Sequence, residues 1–194
     1  ATRKELESFA AYNSALMGLL RLVFSEIARI SKTARGLLRL SLKSIRFFFG
    51  GMDRSVADLE IASEHGAQFL LLSYYSLRED LNENWKYHIR RLGYAGRILL
   101  DSGAYSLKNA ENKGKDVEPI SVKEYATFIE RHRDVLFGWF NLDVVNDPKA
   151  TRENFKALKD KGLTPIPVWS CSEDGWDELE YIVRGIDPPV VALG

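Results

Sequence analysis

Several short apolar runs of the sequence stop abruptly on an acidic, small or polar residue. Four of them end at Asp101, Asp143, Ser170 and Gly194. Buried parallel strands read as continuous apolar runs, and parallel barrels build their active sites at the carboxyl ends of the strands. We therefore expect these run ends to form a functional site, with Asp101 as the first candidate.

The apolar runs alternate with amphipathic stretches from residue 45 onward. Strands are predicted at 45–49, 69–73, 98–101, 137–143, 165–169 and 190–193, and helices at 55–65, 82–92, 122–133, 148–161 and 173–184. This alternation predicts an α/β fold with parallel strands. No Gly-x-Gly-x-x-Gly turn follows the first strand, which disfavours a dinucleotide-binding sheet. We predict a TIM-type (β/α) barrel, incomplete in this chain, with its first six strand–helix units at 45–194.

Residues 1–44 are predicted to form a separate N-terminal helical segment, with helical spacing over 2–42. Its apolar stretch at 16–30 is interrupted by Arg21, Glu26 and Arg29, so we expect no membrane span. We expect the apolar face to cover the barrel or its end; the alternatives are that it binds a partner protein or a second copy of the chain, or lies on a membrane surface. Residues 1–46 hold nine basic and three acidic residues, against 18 and 24 in the remainder. That asymmetry can indicate a polyanion partner such as a nucleic acid, but it is more often typical of a solvated helix face.

The size and cysteine content limit the class of protein. A chain of 194 residues that is 45% hydrophobic can form one soluble domain or most of one. Its one cysteine, Cys171, excludes an intrachain disulfide and fits a reducing compartment, so a cytoplasmic location is predicted. The sequence starts without Met and ends on an apolar run, and we expect it to be part of a longer chain.

Three motifs in order resemble the tRNA-guanine transglycosylase superfamily, most closely its phage and DNA-modifying branch, which inserts 7-deazaguanines. They are Asp-Ser-Gly-Ala-Tyr at 101–105, Asn-Leu-Asp at 141–143 and Ala-Leu-Gly at 192–194. The resemblance covers about 45–194 and implies that Asp101 is the general acid/base at the glycosidic bond. It also implies that Asp143 reads the purine edge and that Gly194 lets the base approach the backbone. Ser102, Gly103 and Tyr105 complete the implied base-binding set.

The chain departs from the family at several positions. Ala104 and Tyr105 replace the family's Gly and Phe, and Val144 follows Asp143 where the tRNA enzymes have a cysteine. A Ser-Cys-Ser-Glu sequence at 170–173 replaces their Gln-Gly-Gly turn. The further candidates for the site are Ser170, Glu173 and, as a ring that stacks on a base, Tyr74.

Metal ligands and cofactors are not expected within this chain. His65, His88 and His132 fall on predicted helices or helix ends without a His-x-His pair. The family's nucleophilic aspartate on a seventh strand and its zinc cluster have no counterpart in these 194 residues. A zinc site, if the protein has one, is expected beyond Gly194.

The predicted function is replacement of guanine in DNA or tRNA by a 7-deazaguanine derivative. Base exchange passes through an oxocarbenium-like centre that needs carboxylates at the sugar. One carboxylate can accept both the N1–H and 2-amino hydrogen bonds of guanine. The predicted partners are a nucleic acid and a purine or 7-deazapurine base, in the cytoplasm or, for a phage-encoded protein, the host cytoplasm. We further expect Asp101 and Asp143 to face each other across one pocket.

Two alternatives to this function stay open. One is a TIM-barrel lyase or hydrolase that acts on a small sugar or phosphate, with the same carboxylates as acid/base groups. The other is a non-catalytic nucleic-acid-binding or assembly relative that has kept the barrel and lost the reaction.

Overall fold

The computed structural model describes residues 28–32, 38–42, 46–53, 55–170 and 175–193. The chain divides into two units, Ala1–Arg46 and Phe47–Gly194. In the first unit, β1 (Ala28–Lys32) and β2 (Leu38–Leu42) form an antiparallel pair. The helix predicted over 2–42 is therefore wrong at these strands, and the rest of that prediction lies outside the described residues. The reason is visible in 38–42, where leucines alternate with an arginine and a serine at the two-residue period of a strand.

Four parallel strands form the central sheet of the second unit. In chain order they are β3 (Phe48–Gly50), β4 (Phe69–Ser73), β5 (Ile98–Asp101) and β6 (Leu136–Trp139), and each pairs with the next. β7 (Val168–Trp169) and β8 (Ala192–Leu193) form a parallel pair, and a parallel bridge joins Phe140 to Ile166. The predicted α/β fold with parallel strands is confirmed, and neighbouring strands follow one another along the chain.

Helices connect these strands. They are α1 (Val56–Glu64), α2 (Tyr74–Leu77), α3 (Asn84–Arg91), α4 (Ala104–Asn112), α5 (Val122–His132), α6 (Pro148–Asp160) and α7 (Trp176–Glu180), and α7 continues into a π-helical turn at Tyr181–Ile186. Ser121 and Glu124 cap the start of α5 reciprocally, and Asp147 caps α6 with Pro148 in its first turn. Each of the five predicted helices is found within a few residues of its predicted bounds.

Two helices of the structure were not predicted. The short α2 directly follows β4, and α4 directly follows the Ser102-Gly103 turn. α4 runs through to Asn112 and ends before Gly114, which has a φ of 71°. Helix formers and a salt bridge between Lys108 and Glu111, three residues apart, stabilise the helix at that position.

Alternate residues of the strands face opposite sides of the sheet. Leu70 and Leu72 are fully buried in the cluster that also holds Ile89 of α3 and Ile129 of α5. The side chains of β4 that point the other way include Ser73, which lies opposite Asp101 in the register of β4 and β5. The second face therefore carries the polar ends of the strands.

The sheet is strongly curved toward this second face. The ring centroids of Phe48 on β3 and Phe137 on β6 are 5.7 Å apart, and both rings contact Phe69. In a flat sheet, strands three positions apart are separated by roughly 14 Å. Because the rings meet across two intervening strands, the second face is concave.

Candidate functional site

A tight turn at the end of β5 holds Asp101. The backbone N–H of Gly103 donates a hydrogen bond to Oδ2 of Asp101 at 3.0 Å, and Gly103 has a φ of 82°. A Cβ on Gly103 would lie 2.4 Å from Cβ of Tyr75 and 2.6 Å from Oγ of Ser73. Glycine is thus required here both for the positive φ and for the close approach to the end of β4. The sequence predicts that Gly103 binds the base. In the structure, the N–H of Gly103 donates a hydrogen bond to Asp101.

Ser102 links the end of β5, which carries Asp101, to the loop after β6, which carries Asp143. Its side chain is fully buried, and its Oγ donates to Oδ1 of Asp143 at 2.6 Å while it accepts from the N–H of Ala104 at 3.1 Å. Each bond in such a chain polarises the next one. Ser102 therefore orients the Asp143 carboxylate, and its buried side chain stabilises the site through these two hydrogen bonds.

The loop after β6 is tied to α6, which fixes the backbone around Asp143. The side chain of Asn154 donates to the carbonyl of Leu142 at 2.9 Å, and the N–H of Val144 donates to Oγ1 of Thr151 at 2.9 Å. Both anchors lie on α6, so the carboxylate is held from the helix as well as from Ser102.

The surroundings of Asp101 favour its protonated form. Burial raises the pKa of Asp101 above its ordinary value, and the nearby charge of Asp143 raises it further, against the lowering effect of the backbone N–H groups of Gly103 and Ser102. Burial, followed by the charges of Asp101 and Asp143, also raises the pKa of Tyr125 well above its ordinary value. The Tyr125 hydroxyl therefore stays neutral beside both acids, and it donates to the carbonyl of Phe140 at 3.0 Å.

The two carboxylates line separate cavities. The Asp101 cavity, about 200 Å³, is lined by Gly50, Gly51, Asp53, Leu71, Ser73, Ser76, Asp101 and Ser106. The Asp143 cavity, about 220 Å³, is lined by Ala104, Leu107, Lys108, Glu111, Pro119, Ile120, Leu142, Asp143, Val144, Val145 and Asn154. The cavities described around the two acids have no lining residue in common, and the predicted single pocket shared by Asp101 and Asp143 stays a prediction. The buried Ser102-Gly103 turn contacts both acids, since Ser102 donates to Asp143 and the N–H of Gly103 donates to Asp101.

The largest cavity described does not contain either acid. It has a volume of about 560 Å³ and lies between α2 and α5, where Leu77, Phe128 and His132 contribute to its lining. Its lining also includes groups with shifted pKa values, Tyr74, Glu124 and His132. The acid pair, however, combines a raised pKa with two carboxyls at the carboxyl edge of a parallel sheet, where such folds carry their active sites. The acid pair is therefore the candidate site.

The remaining predicted site residues lie at varied distances from the acid pair. Tyr105 is 73% exposed on the first turn of α4, where its ring is open to solvent. Tyr74 is buried in the helical layer, where its ring packs against Tyr125 and Phe128, so it is not placed for stacking on a base. Ser170 directly follows β7 and lines neither cavity. Glu173 and Gly194 lie outside the described residues.

Some residues near the acids were not anticipated from the sequence. Asp53, Ser73, Ser76 and Ser106 line the Asp101 cavity. Ser73 ends an apolar run in the same way as Asp101, so the same signal could have found it. Tyr125 lies in the middle of a helix, where the sequence carries no comparable signal.

Three comparisons bear on the family resemblance. Neither protein-family models, nor curated proteins, nor solved structures gave a match to this chain. The resemblance therefore depends on the motifs of the sequence itself. Within the described ranges, no helix has the length and apolar content to cross a membrane, and no three His, Cys, Asp or Glu side chains converge as metal ligands.

Proposed function

We propose that this protein exchanges guanine in DNA or tRNA for a 7-deazaguanine derivative, with Asp101 managing the proton on the departing base and Asp143 reading the base. The observation that carries the proposal is the pair itself. Asp101 is a largely buried carboxyl with a raised pKa, and Asp143, in the loop after the next strand, is oriented by the Ser102 hydroxyl. Two carboxyl groups with different surroundings are the arrangement that acid/base chemistry at a glycosidic bond requires.

The raised pKa of Asp101 suits a general acid. A carboxyl that retains its proton closer to neutral pH transfers it more effectively to a leaving base, because catalysis is best when the pKa lies near the working pH. The N–H of Gly103 holds one oxygen of Asp101 and so fixes the direction in which the other oxygen points.

The Asp143 cavity suits a flat base. Apolar side chains that include Leu107, Ile120 and Leu142 line it, and Asp143 adds a carboxylate. Its volume of about 220 Å³ is below the range of roughly 300–1,000 Å³ that is typical of drug-sized ligands. A single base with adjacent N–H donors matches both the size and the acceptor.

The chain order of the strands supports the barrel. Six parallel strands follow one another without a reversal of order, and the concave face brings the rings of Phe48 and Phe137 together. A doubly wound sheet would instead reverse its order at a switch point. We propose a TIM-type barrel on this basis, with the acids at its carboxyl edge, as in other enzymes of that architecture.

We also propose that segment 1–46 contacts the polynucleotide, because this segment is basic. The proposed compartment is the cytoplasm, or the host cytoplasm for a phage-encoded protein, and binding of a partner or second copy through this segment is part of the same proposal.

Incorporation of radiolabelled guanine into DNA and, in a separate reaction, into tRNA tests the function. Label in one polymer alone would identify the substrate. Label in neither polymer, from protein that is folded by circular dichroism, would count against base exchange. It would favour instead a lyase or hydrolase of small sugars or phosphates, or a non-catalytic relative.

A further inference from the structure

We infer that the largest cavity, between α2 and α5, is a second binding site, for a small carboxylic acid with an apolar or aromatic body. This cavity shares no lining residue with the cavities of Asp101 and Asp143. Such a site is separate from the proposed base exchange and does not depend on it.

The size and the apolar lining of this cavity suit a small organic molecule. Its volume of about 560 Å³ lies within the range of roughly 300–1,000 Å³ that is typical of small-molecule sites. The buried Tyr74 and Leu77 and the partly buried Phe128 line it, together with Leu81, which is 88% exposed. These side chains would remove the apolar body of a bound ligand from water, which favours binding.

The hydroxyl of Tyr74 is an unused hydrogen-bonding group in the cavity. Tyr74 is only 6% exposed, and its hydroxyl makes no hydrogen bond within the described ranges. Unlike the hydroxyl of Ser73, which also lacks a partner, the Tyr74 oxygen is not closed off from its surroundings. Burial and then the charge of Glu124 raise the pKa of Tyr74, against the lowering effect of Arg78. The hydroxyl therefore keeps its proton and can donate it to an acceptor in the cavity.

Arg78 supplies a positive charge that is already held in place. Its guanidinium donates to the carbonyl of Glu118 at 3.0 Å and lies over the ring of Tyr75, 4.9 Å from the centroid. A guanidinium has five N–H donors, so others remain for a ligand. Arg78 lines the same cavity as Tyr74. A fixed arginine together with a hydroxyl donor is suited to a carboxylate.

Each of the three acids that line the cavity is engaged by protein groups. Asp80 accepts two hydrogen bonds from the start of α3, and Glu83 pairs with Arg131. Glu124 accepts from the backbone and the side chain of Ser121 in the cap of α5. The hydrogen-bonding capacity left for a ligand is therefore mainly that of donors, which fits an acid better than an amine.

Titration calorimetry with phenylacetate, its amide and benzylamine tests the site on the full chain. We expect phenylacetate to bind, and the amide and the amine to bind about tenfold more weakly or not at all, because only the acid is attracted by the Arg78 charge.

Two variants test the named donors. Tyr74→Phe should weaken phenylacetate binding about three- to tenfold and Arg78→Gln about tenfold or more, the usual effects of one neutral and one charged hydrogen bond. Tyr87→Phe and Arg184→Gln are the matched controls and should bind normally, because both residues are exposed and line none of the three cavities.

The outcomes separate binding from folding. Tyr74→Phe removes one oxygen and keeps the ring, so weaker binding at an unchanged melting midpoint supports the site even if Arg78→Gln is unstable. Folded wild-type protein that does not bind phenylacetate would overturn the inference, and so would equal affinity in the wild type and both variants. An amide or an amine that binds as tightly as the acid would overturn the carboxylate assignment. Base exchange is measured separately with labelled guanine, so failure of the proposed function leaves this test intact.

Discussion

Asp101 ends β5 and Asp143 lies in the loop after the neighbouring β6, yet the surroundings of the two acids differ. Asp101 shares its cavity with serine hydroxyls and a second acid, and burial and the charge of Asp143 raise its pKa. Asp143 has mostly apolar neighbours in its cavity and receives a hydrogen bond from Ser102. Two carboxyls at similar places in a fold can thus be suited to different tasks, a proton carrier and a hydrogen-bond acceptor, by what lies next to each.

The largest expected effect tests the role of Asp101. Asp101→Asn should reduce base exchange by about two to four orders of magnitude, because the amide cannot transfer the proton. Guanine affinity should change little, because the base is assigned to the other cavity. Asp160→Asn, an exposed substitution at the end of α6, is the control and should retain activity. If Asp101→Asn exchanged bases at the normal rate, Asp101 would not be the proton carrier, and the two acids could not be assigned these different roles.

Gly103→Ala tests the turn that contacts both acids. A methyl group there would collide with Tyr75 and Ser73 and occupy a positive φ. We expect a loss of about 2–4 kcal/mol in the free energy of unfolding, measured in urea. Gly114→Ala provides the matched control, since Gly114 has a φ of 71° with no atom within 4 Å of the added Cβ. Equal losses of unfolding free energy in both variants would show that the close approach of Gly103 to Tyr75 and Ser73 does not contribute to the effect.

Asp143→Asn tests the reading of the base. The amide would present a donor to the donors of guanine, and affinity should fall about ten- to a hundredfold in calorimetry. Asp147→Asn, in the same loop, keeps its cap on α6 because asparagine caps helices as well as aspartate does. If Asp143→Asn binds guanine normally, the Asp143 cavity is not the base site.

The accuracy of the sequence predictions differs between local and long-range features. Strands 69–73 and 98–101 match their predictions at both ends because apolar residues run without interruption up to a polar one. The bounds of α6 follow from Asp147-Pro148 and Gly162, which are local start and stop signals. At 38–42, leucines two residues apart belong to a strand, although the longer segment has helical spacing.

The arrangement of the turn that contacts both acids could not be predicted in the same way. It depends on a hydrogen bond between Ser102 and Asp143, which are 41 residues apart in sequence, and on the contact of Gly103 with the end of β4. Strand-end residues identify which edge carries the site. Packing of the turn decides which groups share a cavity, and no sequence period encodes that packing.

The smallest expected effect concerns the electrostatic link between the two acids. A carboxyl whose pKa is raised on folding contributes stability that is complete below its unfolded-state pKa, roughly 4, and is lost as the pH rises through its folded-state pKa. Asp101→Asn should therefore be more stable than the wild type at neutral pH, and the difference should shrink as the pH falls toward that lower value. Because burial is the first cause of the raised pKa and Asp143 the second, Asp143→Asn should lower the pKa of Asp101 while leaving it above the ordinary value. Carbon-13 titration of the Asp101 carboxyl measures this directly. An Asp101 pKa that is unchanged in Asp143→Asn would show that the two acids are electrostatically independent, and their different surroundings would then be the whole of the difference between them.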